Sequence, residues 1–292
     1  MEKHKKDLAE KGYTIFRNLL SVEEVDEYKK EFYKWLDEVP DLRKMHSMID
    51  FNGIFKHHQV GNQRFAWLLR SNPKIVNIFK ELWETDELVT SFDGCCYYPK
   101  EYKGEERYWT HTDQSSRKKG VHCYQSFVSL TNNVERTLQV YEGSNLLHEN
   151  YFETMNIDDP KDWNIIDIEY IKKISDSKRV LNVNEGDLVV WDSRTFHQNL
   201  CGNEECEEER LVQYLCYLPK NNDGNTERER RYRKRYFETR RTTSHWPYPM
   251  NVIPIQPNAY NYYNPEEEII IDYDLLPVPY LNDLIVKINE LL

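Results

Sequence analysis

The residues of most specific chemical meaning in this 292-residue chain are Trp109-Thr110-His111-Thr112-Asp113, Phe196-His197 and Arg210. Residues two apart on an extended segment point the same way, so His111 and Asp113 can offer an imidazole and a carboxylate to one ion. His197 follows a turn at Glu185-Gly186-Asp187 and an apolar run at 188–191, where a neighbouring strand could deliver a third ligand. Two imidazoles and one carboxylate on one face of an octahedron leave three positions open, the ligand set of non-haem iron(II) oxygenases. Arg210 heads the apolar run 211–218, and a hairpin through Cys201-Gly202-Asn203 would return it to the side of such an ion. A guanidinium there can grip a carboxylate with two parallel hydrogen bonds, as a dicarboxylic co-substrate chelating the metal requires. A His-x-Asp pair alone arises by chance in many chains; the ordered set of pair, turn, strand, His and Arg is far more demanding.

Those side chains need a scaffold, and the sequence outlines one. Ser21-x-x-Glu24 is a capping box, opening a helix whose apolar side carries Val22, Val25, Tyr28, Phe32, Trp35 and Leu36, with Pro40 beyond its end. A second helix is expected over 73–83, burying Ile75, Val76, Ile78, Phe79 and Leu82. The period then changes to short runs at 88–98, 122–130, 138–141, 179–183, 188–191 and 211–218, with turn residues between them. This pattern predicts a mainly β fold with flanking helices, a β-sandwich or jelly roll whose N-terminal helices pack on one sheet. The 13 % aromatic content, with 21 Tyr and 7 Trp, suits pleated half-buried surfaces. One domain is expected over 1–292: a helical part at 1–87, a jelly-roll core at 88–220, and an arm at 221–292 whose prolines from Pro247 to Pro265 read as irregular chain wrapping the body.

In order along the chain, several segments resemble the phytanoyl-CoA dioxygenase family of Fe(II)/2-oxoglutarate oxygenases. Residues 12–21 (GYTIFRNLLS) and the helix after them resemble the family's N-terminal entry, and 109–114 its His-x-Asp strand. Residues 126–144 resemble the strand and loop that follow, 185–199 the strand bearing the distal histidine, and Arg210 the co-substrate arginine; the match covers roughly 8–218. The resemblance implies a double-stranded β-helix (cupin-like jelly-roll) core. It also implies Fe(II) held by His111, Asp113 and His197, with 2-oxoglutarate on Arg210 and O₂ as the other co-substrate. The implied reaction hydroxylates a small-molecule or acyl substrate while 2-oxoglutarate is decarboxylated to succinate and CO₂. Gln125, at the head of an inward-facing strand, is the candidate for a second polar contact to the co-substrate. The family's Pro-Gly-Ser-His appears here as Glu142-Gly143-Ser144-Asn145, with His148 nearby, and Val212 stands where many relatives place a hydroxyl. Asp113 is retained, which favours hydroxylation over halogenation, since halogenases vacate that carboxylate position. A non-catalytic cupin-like binding or regulatory protein would show a damaged triad or no arginine. A nucleic-acid-modifying oxygenase would carry a second arginine six residues after the first, where this chain has Cys216.

Charge restricts the partners further. With 39 Lys and Arg against 50 Asp and Glu, the net charge of −11 opposes binding to nucleic acid or to anionic membranes. The six cysteines include no C-x-x-C pair, which argues against a zinc ribbon or disulfide framework and for buried thiols in a reducing compartment. The N-terminus has no apolar signal-peptide core and no run is long enough to cross a bilayer, so a cytoplasmic protein is expected. Segment 226–241 breaks the acidic pattern with eight basic residues and three glutamates. With Thr243-Ser244-His245-Trp246 it could line a cleft and hold an anionic substrate such as a phosphate or CoA ester, which makes Arg235, Arg240 and His245 candidate substrate contacts beside Trp109. The competing reading is a solvated helix paired with the acidic body, the usual fate of a charge run.

Overall fold

The computed structural model describes residues 1–49, 52–257 and 271–292; Pro265 of the expected arm lies outside them. The described residues form strands β1 (Tyr13–Phe16), β2 (Ile54–Phe55), β3 (Leu88–Thr90), β4 (Cys95–Tyr98), β5 (His111–Thr112), β6 (Tyr124–Ser129), β7 (Leu138–Tyr141), β8 (Asn164–Ile165), β9 (Lys178–Val180), β10 (Leu188–Asp192), β11 (His197–Asn199) and β12 (Arg210–Pro219). They make a seven-stranded sheet in the order β1-β10-β6-β12-β4-β2, with β3 also on β12, and a five-stranded sheet in the order β8-β5-β11-β7-β9. Every pairing is antiparallel.

Two-residue alternation assigns each strand face. Cys95, Tyr97, Leu188, Val190, Leu211 and Leu215 turn outward beneath the helices. Cys96, Tyr98, Val189, Trp191 and Val212 turn inward with Phe127, meeting Leu138 and Val140 of the opposite sheet. Arg210 shares the parity of Val212 and so belongs to the inner face. The jelly roll with N-terminal helices on one sheet is present as expected.

The helices are α1 (Glu2–Lys11), α2 (Val22–Glu38), α3 (Leu42–Ile49), α4 (Arg64–Arg70), α5 (Pro73–Trp83), α6 (Ser144–Thr154), α7 (Ile168–Lys173), α8 (Glu227–Glu238) and α9 (Ile285–Leu291). The capping box of α2 makes both reciprocal bonds: Glu24 N donates to Ser21 Oγ at 3.3 Å, and Ser21 N donates to Glu24 Oε2 at 2.8 Å. Val25, Tyr28, Phe32, Trp35 and Leu36 are buried; Val22 is exposed, because it is the first residue of the helix and precedes the turn that meets the sheet. On α5 the expected apolar face is buried except for the half-buried Val76.

Two expectations need correction. The run 88–98 is not one strand, because the chain breaks at Ser91-Phe92-Asp93-Gly94 between β3 and β4. A Cβ on Gly94 would lie 1.9 Å from Phe55 O, so only glycine allows this approach. The link from β11 to β12 is not a hairpin but a crossing from one sheet to the other. Fully buried Arg136 fixes the crossing, donating to Cys201 O at 2.9 Å, Cys206 O at 3.0 Å, and the carbonyls of Pro99 and Tyr102 at 2.6 Å. Its fork of donors satisfies loop carbonyls that no sheet partner reaches.

Segment 226–241 is largely α8, with Tyr232 and Tyr236 stacked on one face, 5.7 Å between ring centroids. Its Arg233 is buried and donates to Asn225 Oδ1 at 3.0 Å and Pro247 O at 2.7 Å, tying the helix to the chain around it. All six cysteines are buried, and none is in a disulfide among the described residues. Among the described residues, no helix is long and apolar enough to cross a membrane.

Candidate metal centre

Antiparallel pairing of β5 with β11 sets His111 directly across from His197, and Asp113 follows one residue after β5. The two imidazole centroids are 4.4 Å apart. Asp113 Oδ2 lies 3.4 Å from His111 Nε2 and 3.3 Å from His197 Nε2, and all three residues are buried. Each histidine is oriented by the carbonyl two residues before it: His111 Nδ1 is 3.0 Å from Trp109 O, and His197 Nδ1 is 2.9 Å from Thr195 O. A carbonyl only accepts, so each Nδ1 carries the proton and each Nε2 keeps its lone pair toward Asp113. Ligand atoms of the three residues lie within 4.8 Å of one another, a group that could hold a metal ion. Burial would raise the Asp113 carboxyl, but the charges that His111 and His245 carry when protonated, and the Nε2–H bonds that His111 and His197 can then donate, outweigh it and hold the group well below the usual carboxylate range. Burial, with His111 adding to it, lowers His197 and favours the neutral ring that metals bind.

Gln125 of β6 donates from Nε2 to Asp113 Oδ2 at 2.9 Å. An ionised carboxylate cannot donate, so the amide orientation is fixed, and Oε1 is left without a partner. Arg210 is 1 % exposed; its Nη1 donates to Thr137 O at 3.2 Å while Nη2 has no partner. Its guanidinium stands 5.5 Å from the Phe127 centroid. That ring is 5.9 Å from Trp191, which is 5.4 Å from His197 and whose Nε1 is also unpaired. Two unpaired buried donors therefore flank Phe127, and each costs about 1–3 kcal/mol until an acceptor arrives.

The triad opens onto a cleft with about 850 Å³ of empty space, including the part open to solvent. Trp109 and His245 line it, with the Trp109 ring 4.9 Å from His111. Arg235 and Arg240 do not: Arg235 is exposed on α8, and Arg240 donates to Gln59 Oε1 at 3.0 Å. The departures from the family loop serve packing. Asn145 donates to Leu8 O and Ala9 O at the end of α1, and His148 Nε2 pairs with Gln114 O at 2.9 Å. Lining residues that the sequence did not single out include Asp93 and Trp163, whose ring lies 5.7 Å from His111. Asp93-Gly94 inside an apolar run was a readable sign of a strand break; Trp163 sits in a loop with no pattern around it.

Comparison with known proteins bears on the fold and the family. Ava biosynthesis cluster protein O of Aspergillus versicolor is 26 % identical over 260 residues, 81 % of this chain and 83 % of that protein. The structure of EctD from S. alaskensis with 2-oxoglutarate and 5-hydroxyectoine shares the fold at a TM-score of 0.54, with 17 % identity over 76 % of this chain and 77 % of that one. The epimerase SnoN, in complex with Fe3+, alpha ketoglutarate and nogalamycin RO, matches at 0.50, with 18 % identity over 75 % of this chain and 83 % of its own. The sequence model described as Phytanoyl-CoA dioxygenase (PhyH) matches residues 8–199. That span is well over half of the chain, which therefore belongs to the phytanoyl-CoA dioxygenase family.

Proposed function

We propose that the protein is an Fe(II)/2-oxoglutarate-dependent dioxygenase that hydroxylates a small molecule. The observation that carries this reading is the convergence of two imidazole Nε2 atoms and the Asp113 carboxylate, with an unpaired, buried guanidinium reached from His197 through Trp191 and Phe127. The donor set fits the metal: neutral imidazoles and one carboxylate on one side, other positions open. The unpaired Arg210 Nη2 fits the far carboxylate of a dicarboxylic acid, and Trp191 Nε1 offers a further donor. His111, Asp113 and His197 would hold iron, and Arg210 would orient 2-oxoglutarate. The bound metal supplies activation of O₂, so that substrate C–H, O₂ and 2-oxoglutarate become C–OH, succinate and CO₂. The chain's own residues position and shield: the backbone carbonyls of Trp109 and Thr195 fix the imidazoles, Gln125 fixes the carboxylate, and Trp109 and Trp191 wall the cavity.

The direct test is anaerobic titration of the purified protein with Fe(II) and 2-oxoglutarate. The chelate should appear as a weak visible charge-transfer band, absent in His111→Ala. A wild-type protein that binds neither reagent would sink the reading.

Gln125 is a positioning residue here, not the co-substrate contact that the sequence suggested. Gln125→Leu is expected to weaken Fe(II) affinity about 10- to 100-fold, the usual effect of removing the partner that orients a ligand. Its 2-oxoglutarate affinity at saturating iron should stay near wild type. The opposite pattern, with iron affinity intact and 2-oxoglutarate affinity lost, would return Gln125 to the co-substrate.

A further inference from the structure

Asp93 carries chemistry that the proposed turnover leaves unused. It lies in the break between β3 and β4, lines the same cavity as the triad, and is 4 % exposed. Neither of its carboxylate oxygens makes a well-formed hydrogen bond; the nearby Ser91 hydroxyl, close enough to act on them, donates to Cys216 O at 3.4 Å. Buried carboxylates are normally paired or hydrogen-bonded, because removing the charge from water is costly.

The backbone around Asp93 is held from several sides. Arg70 Nη2 and Gln213 Nε2 each donate to Asp93 O at 3.2 Å, and Gln213 Nε2 also donates to Gly94 O at 2.8 Å. Phe92 N donates to Thr243 Oγ1 at 3.0 Å, and Thr243 N donates back to Phe92 O at 3.0 Å. Gly94 is locked against Phe55 O. Arg70 sits close enough for its charge to act on Asp93, yet it directs its Nη groups at Gly61 O and Asp93 O. Burial pushes the Asp93 carboxyl up to about 7, and the Arg70 charge and the nearby Ser91 hydroxyl act against that rise. Arg70 thus limits the rise without using the carboxylate's acceptor capacity, so the ionised form is within reach near neutral pH and a bound cation would favour it further.

The cavity's other unpaired atoms divide by type. Gln125 Oε1 can only accept, and Ser244 Oγ and His245 Nε2 can also do so. The unpaired donors are Trp191 Nε1, on a residue that also lines the cavity, and Arg210 Nη2, which is not part of the lining; both stand around Phe127. Among the described lining residues the one Lys or Arg is Lys56, and its side chain is exposed. The basic segment that could have drawn an anion contributes nothing to the lining.

We propose that the cavity takes a substrate bearing a cationic nitrogen, a protonated amine or a guanidinium, whose N–H groups bond to Asp93 while its apolar part rests on Trp109 and Trp163. That this ligand is the substrate rests on the oxygenase reading above; that the cavity holds a cation does not. Indole faces attract cations as well, and the chain's net charge of −11 favours their approach.

The test uses four probes: phenethylamine and phenethylguanidine as cations, 3-phenylpropionamide as a neutral N–H donor, and 3-phenylpropionate as an anion. Each is titrated at near-physiological salt, with tryptophan fluorescence as the readout, into the protein alone and into the protein with Fe(II) and 2-oxoglutarate under nitrogen. The cations should bind roughly 10- to 100-fold more tightly than the amide or the carboxylate. Asp93→Asn should bring them down to the amide's affinity and leave the amide unchanged, which also reports that the variant is folded. Equal affinity for cation and amide in the wild type, tighter binding of the carboxylate, or no measurable cation binding would overturn the proposal, with no variant needed. A cation preference that survives in folded Asp93→Asn would overturn the role of Asp93. Cation selectivity in a protein that takes up neither iron nor 2-oxoglutarate would remove the oxygenase reading and leave the cation site standing.

Discussion

Asp113→Ala is expected to eliminate iron(II) binding, and the visible band of the 2-oxoglutarate chelate with it, while the protein stays folded. Asp113 supplies the only negative charge of the triad, with Oδ2 3.3–3.4 Å from both imidazole Nε2 atoms. Without it, a divalent ion would sit in a buried site against two neutral rings, its charge uncompensated. Loss of a partner that merely orients a ligand already costs about 10- to 100-fold in affinity, so loss of the anionic ligand should exceed that range. The structural cost is smaller. Gln125 Nε2 loses its acceptor, about 1–3 kcal/mol, against a typical domain stability of roughly 5–15 kcal/mol. Anaerobic Fe(II) titration and a thermal melt of the metal-free protein separate the two effects. An alanine variant that bound iron as tightly as wild type would mean that the metal, if any, sits elsewhere.

The triad was legible because its members are reactive types in a demanding order, and because strand parity needs only alternation to be seen. Apolar runs bounded by turn residues made 188–191 and 211–218 readable as strands, whereas the inner-face position of Arg210 came only with the observed parity of Val212. What stayed hidden has identifiable physical causes. Strand β5 is only His111–Thr112, too short for any period to show. Helix α6 buries Ser144, Asn145 and His148 ahead of Tyr151 and Phe152 and exposes Leu146, so the inner face of its first half is polar and the pattern there inverted. The basic segment was readable as a helix, but not that Arg233 would be buried among carbonyls, because a charge run carries no mark of which member a distant loop will enclose. The β11–β12 crossing depends on Arg136, which lies far from that loop in sequence. Asp93 belongs with these cases: its carboxylate reaches the cavity only because Arg70, Gln213 and Thr243 converge on one stretch of backbone.

Arg210→Met should make the protein unable to hold 2-oxoglutarate while leaving iron binding intact and the ligand-free fold at least as stable. Arg210 is a fully enclosed cation that makes one 3.2 Å bond to Thr137 O and leaves Nη2 unpaired, so the ligand-free state bears the cost of burying it. Replacing a poorly compensated buried charge with an apolar side chain of similar length is often neutral or stabilising. Phe127 already presents an aromatic face at that position for a methionine to pack against. The ligand-bound state responds in the opposite direction. Truncating one partner of a buried, hydrogen-bonded charge pair costs about 2–5 kcal/mol, or roughly 30- to 4,000-fold in 2-oxoglutarate affinity. Arg210→Lys should fall between the two, because an ammonium restores the charge but not the planar fork. Fe(II) affinity should stay at the wild-type value, since no triad atom bonds to the guanidinium. A melt without ligand, an Fe(II) titration and a 2-oxoglutarate titration together give the expected signature: stability kept or raised, metal kept, co-substrate lost. Wild-type 2-oxoglutarate affinity in the methionine variant would refute the assignment, and a large loss of stability would show that Arg210 is held for the fold instead. The predicted combination has a single physical source, a positive charge buried at a cost that only an incoming carboxylate can offset.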